Sequence, residues 1–202
     1  MKKTAAEAVA TRRAILASAL TIFSQHGYNA TTLEQIARAA DVTRGAVYWH
    51  FANKADLYGA LLQTYGGQAA SIMQAAATEG GSFLEVCQRI LSHLLAHLED
   101  DPEFRAMIEL SLFKTEHTEE LASVWESQLA GTRDLVAQLT LIMQEGITQG
   151  ALRTDSTAAD LARGFLAYQQ GLFHLWLIDP KAFSLRERAP VLANLFIRGI
   201  CT

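Results

Sequence analysis

Between Thr32 and Phe51 the chain reads Thr-Leu-Glu-Gln-Ile-Ala-Arg-Ala-Ala-Asp-Val-Thr-Arg-Gly-Ala-Val-Tyr-Trp-His-Phe. Small Ala37 lets two helices approach, Ile36, Val42 and Val47 fill the space between them, and the short Asp41-Val42 turn sets their crossing. This is the pattern of a helix-turn-helix, whose second helix lies in a DNA major groove with its first turn against base edges. Other chemistry-bearing spacings lead less far. His93 and His97 are i, i+4 on one helix with Cys87 nearby, a spacing that can hold a metal. Both sit at the flank of that helix's apolar face, and spacing fixes no third ligand, so a surface pair is expected and no metal site. The sequence has no Gly-x-Ser-x-Gly, no phosphate-binding glycine loop and no His-Glu-x-x-His. Scattered carboxylates such as Glu109 and Glu116 make no catalytic pair, so neither an enzyme nor a cofactor is expected.

The elements that must position the motif are all helical. Ile15, Leu16, Ala19, Leu20 and Phe23 mark one face of a helix from Thr11 to Ser24, closed by Gly27. Thr31 as N-cap with Glu34 at the third position predicts a capping box for the next helix. Thr43 caps the short helix to Trp49, and Asn53 caps a long fourth helix from Lys54 to about Ala77. Gly80-Gly81-Ser82 restarts the chain before a periodic helix from Phe83 to Glu99, and Asp101-Pro102-Glu103 opens one to about Lys114. Helices from Thr118 to Gln149, Thr157 to Ile178 and Leu185 to Ile200 complete the set. Strict apolar–polar alternation is absent, so the expected fold is all-α: a three-helix module over residues 1–53, then a larger helical body over 54–202.

Composition sets the outer bounds. Of 202 residues, 50% are hydrophobic and 19% charged, which excludes an intrinsically disordered chain. Two cysteines cannot build a disulfide framework, and a reduced, cytoplasmic compartment is the natural reading. No stretch has the length and apolarity of a membrane span, and Glu7, Arg12 and Arg13 interrupt any secretory signal. Residues 1–60 hold seven basic side chains against four acidic ones; residues 61–202 hold ten against seventeen. That distribution fits a small basic nucleic-acid module on an acidic body, or an ordinary solvated surface whose charges cluster.

The continuation Tyr48-Trp49-His50-Phe51-Ala52-Asn53-Lys54-Ala55-Asp56-Leu57 decides between them. Together with Thr11-Arg12, Ile15-Leu16, Phe23, Gly27-Tyr28, Thr31-Thr32, Ile36-Ala37 and Val42 to Gly45, it resembles the tetracycline-repressor (TetR) family of bacterial transcription regulators. The multidrug-efflux-repressor branch, the AcrR-like proteins, is the most similar. One departure stands out: Asp41 occupies the turn position where the family mostly has glycine, and Asp accepts a left-handed backbone at some cost.

The resemblance implies roles for particular residues. Thr43, Arg44 and Gly45 open the recognition helix, where Arg44 can make a bidentate contact to guanine and Gly45 allows close approach. Tyr48, His50, Lys54 and Thr32 look like phosphate contacts, and Lys2, Lys3 and Arg12 could follow the backbone or a minor groove. For Trp49 and Phe51 the alternative is core packing, for His50 a surface position. A homodimer on a palindromic operator is implied, with Phe165, Tyr168, Leu172, Leu192, Leu195, Phe196 and Gly199 at the interface, unless those helices are simply buried in the monomer.

The branch also implies an apolar pocket for a lipophilic small molecule. Its candidates are Cys87, Ile90, Leu91 and Leu94 on the fifth helix and Ile108, Ser111 and Leu112 on the sixth. From the seventh come Leu135, Gln138 and Leu139; from the eighth, Leu166, Gln169, Gln170, Phe173 and His174. Gln169, Gln170 and His174 on an otherwise apolar helix would need partners if buried, met by a ligand, by each other or by water. The fourth helix is the lever between the two parts, with Gly59 and Gly66-Gly67 there for bending or for tight packing. The function implied is a ligand-responsive transcriptional repressor; a DNA-binding regulator controlled by a protein partner or a metabolite is the alternative.

Overall fold

In the computed structural model, which describes residues 4–201, there are nine α-helices: α1 (Ala5–His26), α2 (Leu33–Ala39), α3 (Arg44–His50), α4 (Lys54–Thr78), α5 (Phe83–Asp100), α6 (Pro102–Phe113), α7 (Ala122–Thr148), α8 (Ala158–Ile178) and α9 (Leu185–Ile200). A short 3-10 turn, Glu119–Leu121, precedes α7. Contacts group these into two compact units, each discontinuous in sequence. One runs up to Gly67 and takes in Glu103–Glu126; the other comprises Gln68–Pro102 and the chain from Ser127 onward.

In the first unit, α1 begins earlier than its periodicity suggests, because Thr4 and Glu7 form a reciprocal capping box at its start. Its buried face, Ile15, Leu16, Ala19, Leu20 and Phe23, is the one the spacing predicts. The start of α2 differs from expectation. Thr32, not Thr31, is the N-cap, and Gln35, not Glu34, closes the box, with Thr32 N–H donating to Gln35 Oε1 at 2.8 Å. Thr31 instead points inward, 2% exposed, its hydroxyl donating to the Gly27 carbonyl at 2.8 Å. Both threonines suit a cap chemically; burial of Thr31 beside the end of α1 decides which serves.

The turn between α2 and α3 is a Schellman closure. Val42 N–H donates to Ala37 O at 3.0 Å and Asp41 N–H to Arg38 O at 3.2 Å, with Asp41 at φ 52. Asp41 is the one non-glycine residue with positive φ among the described residues, so the substitution noted in the sequence leaves the turn intact. Thr43 caps α3 by accepting from Ala46 N–H at 3.1 Å, and Asn53 caps α4 by accepting from Asp56 N–H at 2.8 Å. Phe51, 2% exposed, ends α3 inside the core with the Arg12 guanidinium 5.2 Å from its ring centre. That burial is worth about 2–3 kcal/mol.

In the second unit, α5 lies against α9 and α8, and its buried residues are Cys87, Leu91, Leu94, Leu95 and Leu98. The end of α5 is tied to the start of α9: Glu99 accepts from Ser184 Oγ and Arg186 N–H, and Arg186 pairs with Asp100. Gly146 of α7 lets the Phe83 ring come so close that a β-carbon there would lie 2.5 Å from it. Arg89 donates to Ala76 O at 2.9 Å, closing the end of α4. No helix among the described residues is long and apolar enough to cross a membrane.

Candidate nucleic-acid interface

The outer face of α3 carries Arg44, Gly45, Tyr48 and Trp49, all exposed, while Val47 on the opposite side is fully buried. That separation follows from the i, i+4 geometry of a short helix anchored by one apolar side. Arg44 folds back along the face: its Nη2 donates to Tyr48 OH at 3.2 Å and its guanidinium lies 5.3 Å from the Tyr48 ring centre. The Tyr48 hydroxyl also holds the Arg44 guanidinium more firmly in its charged form. A base edge or a phosphate can take Arg44 from Tyr48 without breaking a buried contact. At Gly45 an added β-carbon would meet only Thr43 Oγ1, at 3.9 Å, so this part of the face is open.

Trp49 is 73% exposed and Phe51 is not, so the core-packing reading holds for Phe51 alone. The indole stands edge-on to the His50 ring at 4.5 Å and borders a recess of about 750 Å³ with Asp41–Thr43, Gly45, Ala46, His50 and Ala8 of α1. A large apolar ring held in water on a groove-reading face is the feature that sequence reasoning passed over. The sign of it was its i, i+4 relation to Gly45.

On the other flank a second recess, about 440 Å³, is lined by Thr31–Glu34, Arg44, Tyr48, Asn53 and Lys54. The first turns of α2 and α4 converge on it, and such turns present N–H groups and positive dipole ends to anions. Lys54 is held rather than free: Nζ donates to Tyr28 O at 3.1 Å and lies 4.2 Å from the Tyr28 ring centre. Two of its three donors remain for a phosphate. Thr32 Oγ1 and N–H both face Gln35, so a phosphate would have to displace that glutamine. Lys2 and Lys3 lie outside the described residues.

The remaining sequence candidates fall into both units. Ile108 and Ser111 are half-buried and Leu112 is exposed, all in the first unit. In the second, Cys87, Leu91, Leu94, Leu139 and Phe173 are core residues, and burial pushes the Cys87 thiol up to about 11. Ile90, Leu135, Leu166 and Gln169 are half-buried. Gln138, Gln170 and His174 face outward, so the burial that would have demanded polar partners for Gln170 and His174 is absent. A polar group that reasoning missed is Gln68 of α4, whose Oε1 is buried without a hydrogen-bond partner. His97 pairs with Asp101, Nε2 to Oδ2 at 3.6 Å, and His93 is exposed.

Of the seven interface candidates, Phe165 is buried within its own unit. Its ring meets Phe196 at 5.7 Å, Phe196 meets Tyr168 at 5.2 Å, and Tyr168 OH donates to Leu192 O at 2.8 Å. These join α8 to α9 inside one chain, and Leu172 is half-buried beside them in sequence. The exposed apolar stripe includes two of the candidates, Leu195 and Gly199 on α9, together with Val191 on α9 and Gly171, Leu175 and Ile178 on α8.

A short capped helix with an exposed reading face, flanked by two helix starts and a held lysine, defines a helix-turn-helix DNA-binding protein. Residues 15–61 match the model for bacterial regulatory proteins of the tetR family, and residues 82–201 match that for the C-terminal region of MAATS-type transcriptional repressors. The chain belongs to the TetR family of transcriptional regulators. It is 33% identical over 192 residues to the HTH-type transcriptional regulator AcrR of Shigella flexneri, covering 93% of this chain and 88% of that one. NalD, the secondary repressor of the MexAB-OprM multidrug efflux pump in Pseudomonas aeruginosa, superposes with a TM-score of 0.85 at 30% identity, covering 96% of this chain and 98% of NalD. SmeT of Stenotrophomonas maltophilia, in its complex with triclosan, superposes with a TM-score of 0.82 at 26% identity, covering 96% and 92%.

Proposed function

We propose that this chain is a cytoplasmic, homodimeric repressor of a multidrug-efflux operon, released from a palindromic operator when a lipophilic compound binds its larger helical part. The observation that carries the reading is the exposed α3 face of Arg44, Gly45, Tyr48 and Trp49, set between two recesses at the scale of groove and phosphate. Similarity to AcrR and NalD over almost the whole chain supports the efflux assignment, and SmeT with triclosan supports the ligand class. Arg44 reads a guanine edge, Thr43 and Gly45 bring α3 close, and Trp49 packs on a base methyl or sugar. Thr32, Tyr48, His50 and Lys54 hold phosphates.

In the second unit the half-buried Ile90, Leu135, Leu166 and Gln169 line the ligand site, and Gln68 Oε1 accepts a hydrogen bond from the bound compound. A compound that binds better to the conformation with wrongly spaced recognition helices removes the dimer from DNA. The test is fluorescence anisotropy with the DNA flanking its own gene, over a salt series, with and without lipophilic antibiotics, dyes or triclosan. Tight, palindrome-dependent binding that a compound reverses is the expected result. Tight binding that no such compound alters moves the control to a protein partner or a metabolite. Binding without sequence preference removes the operator reading.

A further inference from the structure

Three elements of the first unit meet at one residue, Tyr28. Its N–H donates to Lys114 O, at the end of α6, at 3.2 Å. Its carbonyl accepts from Lys54 Nζ, at the start of α4, at 3.1 Å, and its ring lies under the same ammonium. That ring is fully buried, wedged between Phe23 at 5.5 Å and Tyr58 at 5.2 Å, so the peptide groups on either side of it cannot drift independently.

The end of α6 is fastened to the same turn by its side chains. Lys114 Nζ donates to Ser24 O, a carbonyl of α1's last turn, at 2.9 Å, and pairs with Glu109 at 3.0 Å. Asn29 Nδ2 donates to Glu116 Oε2 at 3.0 Å. The approach is close: a β-carbon at Gly27, where φ is 77, would lie 3.4 Å from Lys114 O. The residue that follows α6 is therefore in contact with the turn after α1, held there by the hydrogen bonds of Lys114 and Asn29.

We infer that the Tyr28 turn is a joint through which the end of α6 positions Lys54 for a DNA phosphate, making Lys114 a positioning residue for operator binding. The inference rests on the DNA-binding reading above. A lysine on a flexible stem loses rotamer freedom when it binds a phosphate, and one already held by a carbonyl and a ring has lost it beforehand. When the end of α6 shifts, the Tyr28 carbonyl moves with it, and Lys54 loses its hold and its aim. Lys114 contributes by fixing the end of α6 to Ser24; it need not touch DNA.

The test is a double-mutant cycle in the full-length protein on its operator duplex, with affinity measured across a salt series. Lys54→Met removes one phosphate contact from each protomer, two from the dimer, and lowers the slope of log affinity against log salt by about 1.8. Lys114→Met should weaken binding several-fold and lower the slope by a similar amount. The double variant should lose no more than Lys54→Met alone, because both act through one contact. Lys114→Arg, which keeps a donor for Ser24 O, should restore the slope. Additive losses, or a wild-type slope in a folded Lys114→Met, would overturn the joint while leaving the DNA-binding reading in place. A wild-type protein that binds no duplex specifically overturns both.

Discussion

Arg44 illustrates how a reading residue waits. Free of DNA, its guanidinium is held by the Tyr48 hydroxyl and ring, so its direction is set while its five donors remain mostly unspent. Because the hold is on an exposed face, exchange for a guanine edge costs little. Arg44→Ala should therefore cost about 1–3 kcal/mol per half-site of the operator and relax the choice at one base position in each half. Anisotropy against the operator and its single-base variants checks this; an equal loss on every duplex would make Arg44 a phosphate contact instead. Cys87 makes a different statement at the same scale. Burial pushes its thiol from 9.0 up to about 11, so the folded state favours the neutral form. Its contribution to stability is whole below pH 9 and is lost as pH climbs towards 11. At pH 8 a thiol reagent should label half-buried Cys201 quickly and reach Cys87 only on unfolding. Two equally fast thiols would show that α5 opens in the native state.

Among the elements, the turn from α2 to α3 tests how local chemistry supports a reading helix. Asp41 satisfies the Schellman hydrogen bonds at φ 52, a conformation that costs an L-residue more than glycine. Asp41→Gly should raise stability by about 1 kcal/mol in a urea titration, with the m-value unchanged. No gain would mean that the aspartate side chain offsets its own strain. This turn, the α3 cap and the buried face of α1 were legible in the sequence, because each depends on residues within one turn of helix. Other features depend on what comes from far along the chain. Thr31 and Thr32 are chemically equal caps until Gly27 O claims the first. Gly146 has no local reason to be glycine; the reason is Phe83. Helix α8 is apolar on nearly every side, so periodicity could not say that Phe165 turns inward and Leu175 outward. For the same reason Gln170 and His174 read as buried polar groups when they are exposed ones. Within α4, a β-carbon at Gly59 would make only an ordinary contact with Val124 at 3.6 Å, and Gly66 and Gly67 have nothing within 4 Å, so close approach explains none of the three.

For the whole molecule, one short recognition helix reads only a few base pairs, and in the proposed homodimer a second copy supplies the rest. The surface suited to that copy is the stripe formed by Gly171, Leu175 and Ile178 with Val191, Leu195 and Gly199. Leu175, Ile178, Val191 and Leu195 are all more than half exposed, a cost that association would remove. A β-carbon at Gly171 or Gly199 would touch nothing in the chain itself, so both leave space for a close crossing by a second helix. A twofold interface uses the same patch on both protomers, so a charge placed on it is placed twice. Leu175→Asp should accordingly give a folded monomer by analytical ultracentrifugation, with helicity retained because the side chain is exposed within one chain. Its operator affinity should fall by about a thousandfold, to the level of non-specific binding, since a single module keeps its phosphate contacts but reads half a site. Phe165→Asp, by contrast, should unfold the second unit, because it buries a charge against Phe196. If Leu175→Asp remains a dimer with full affinity, the two reading helices are held together by a different face.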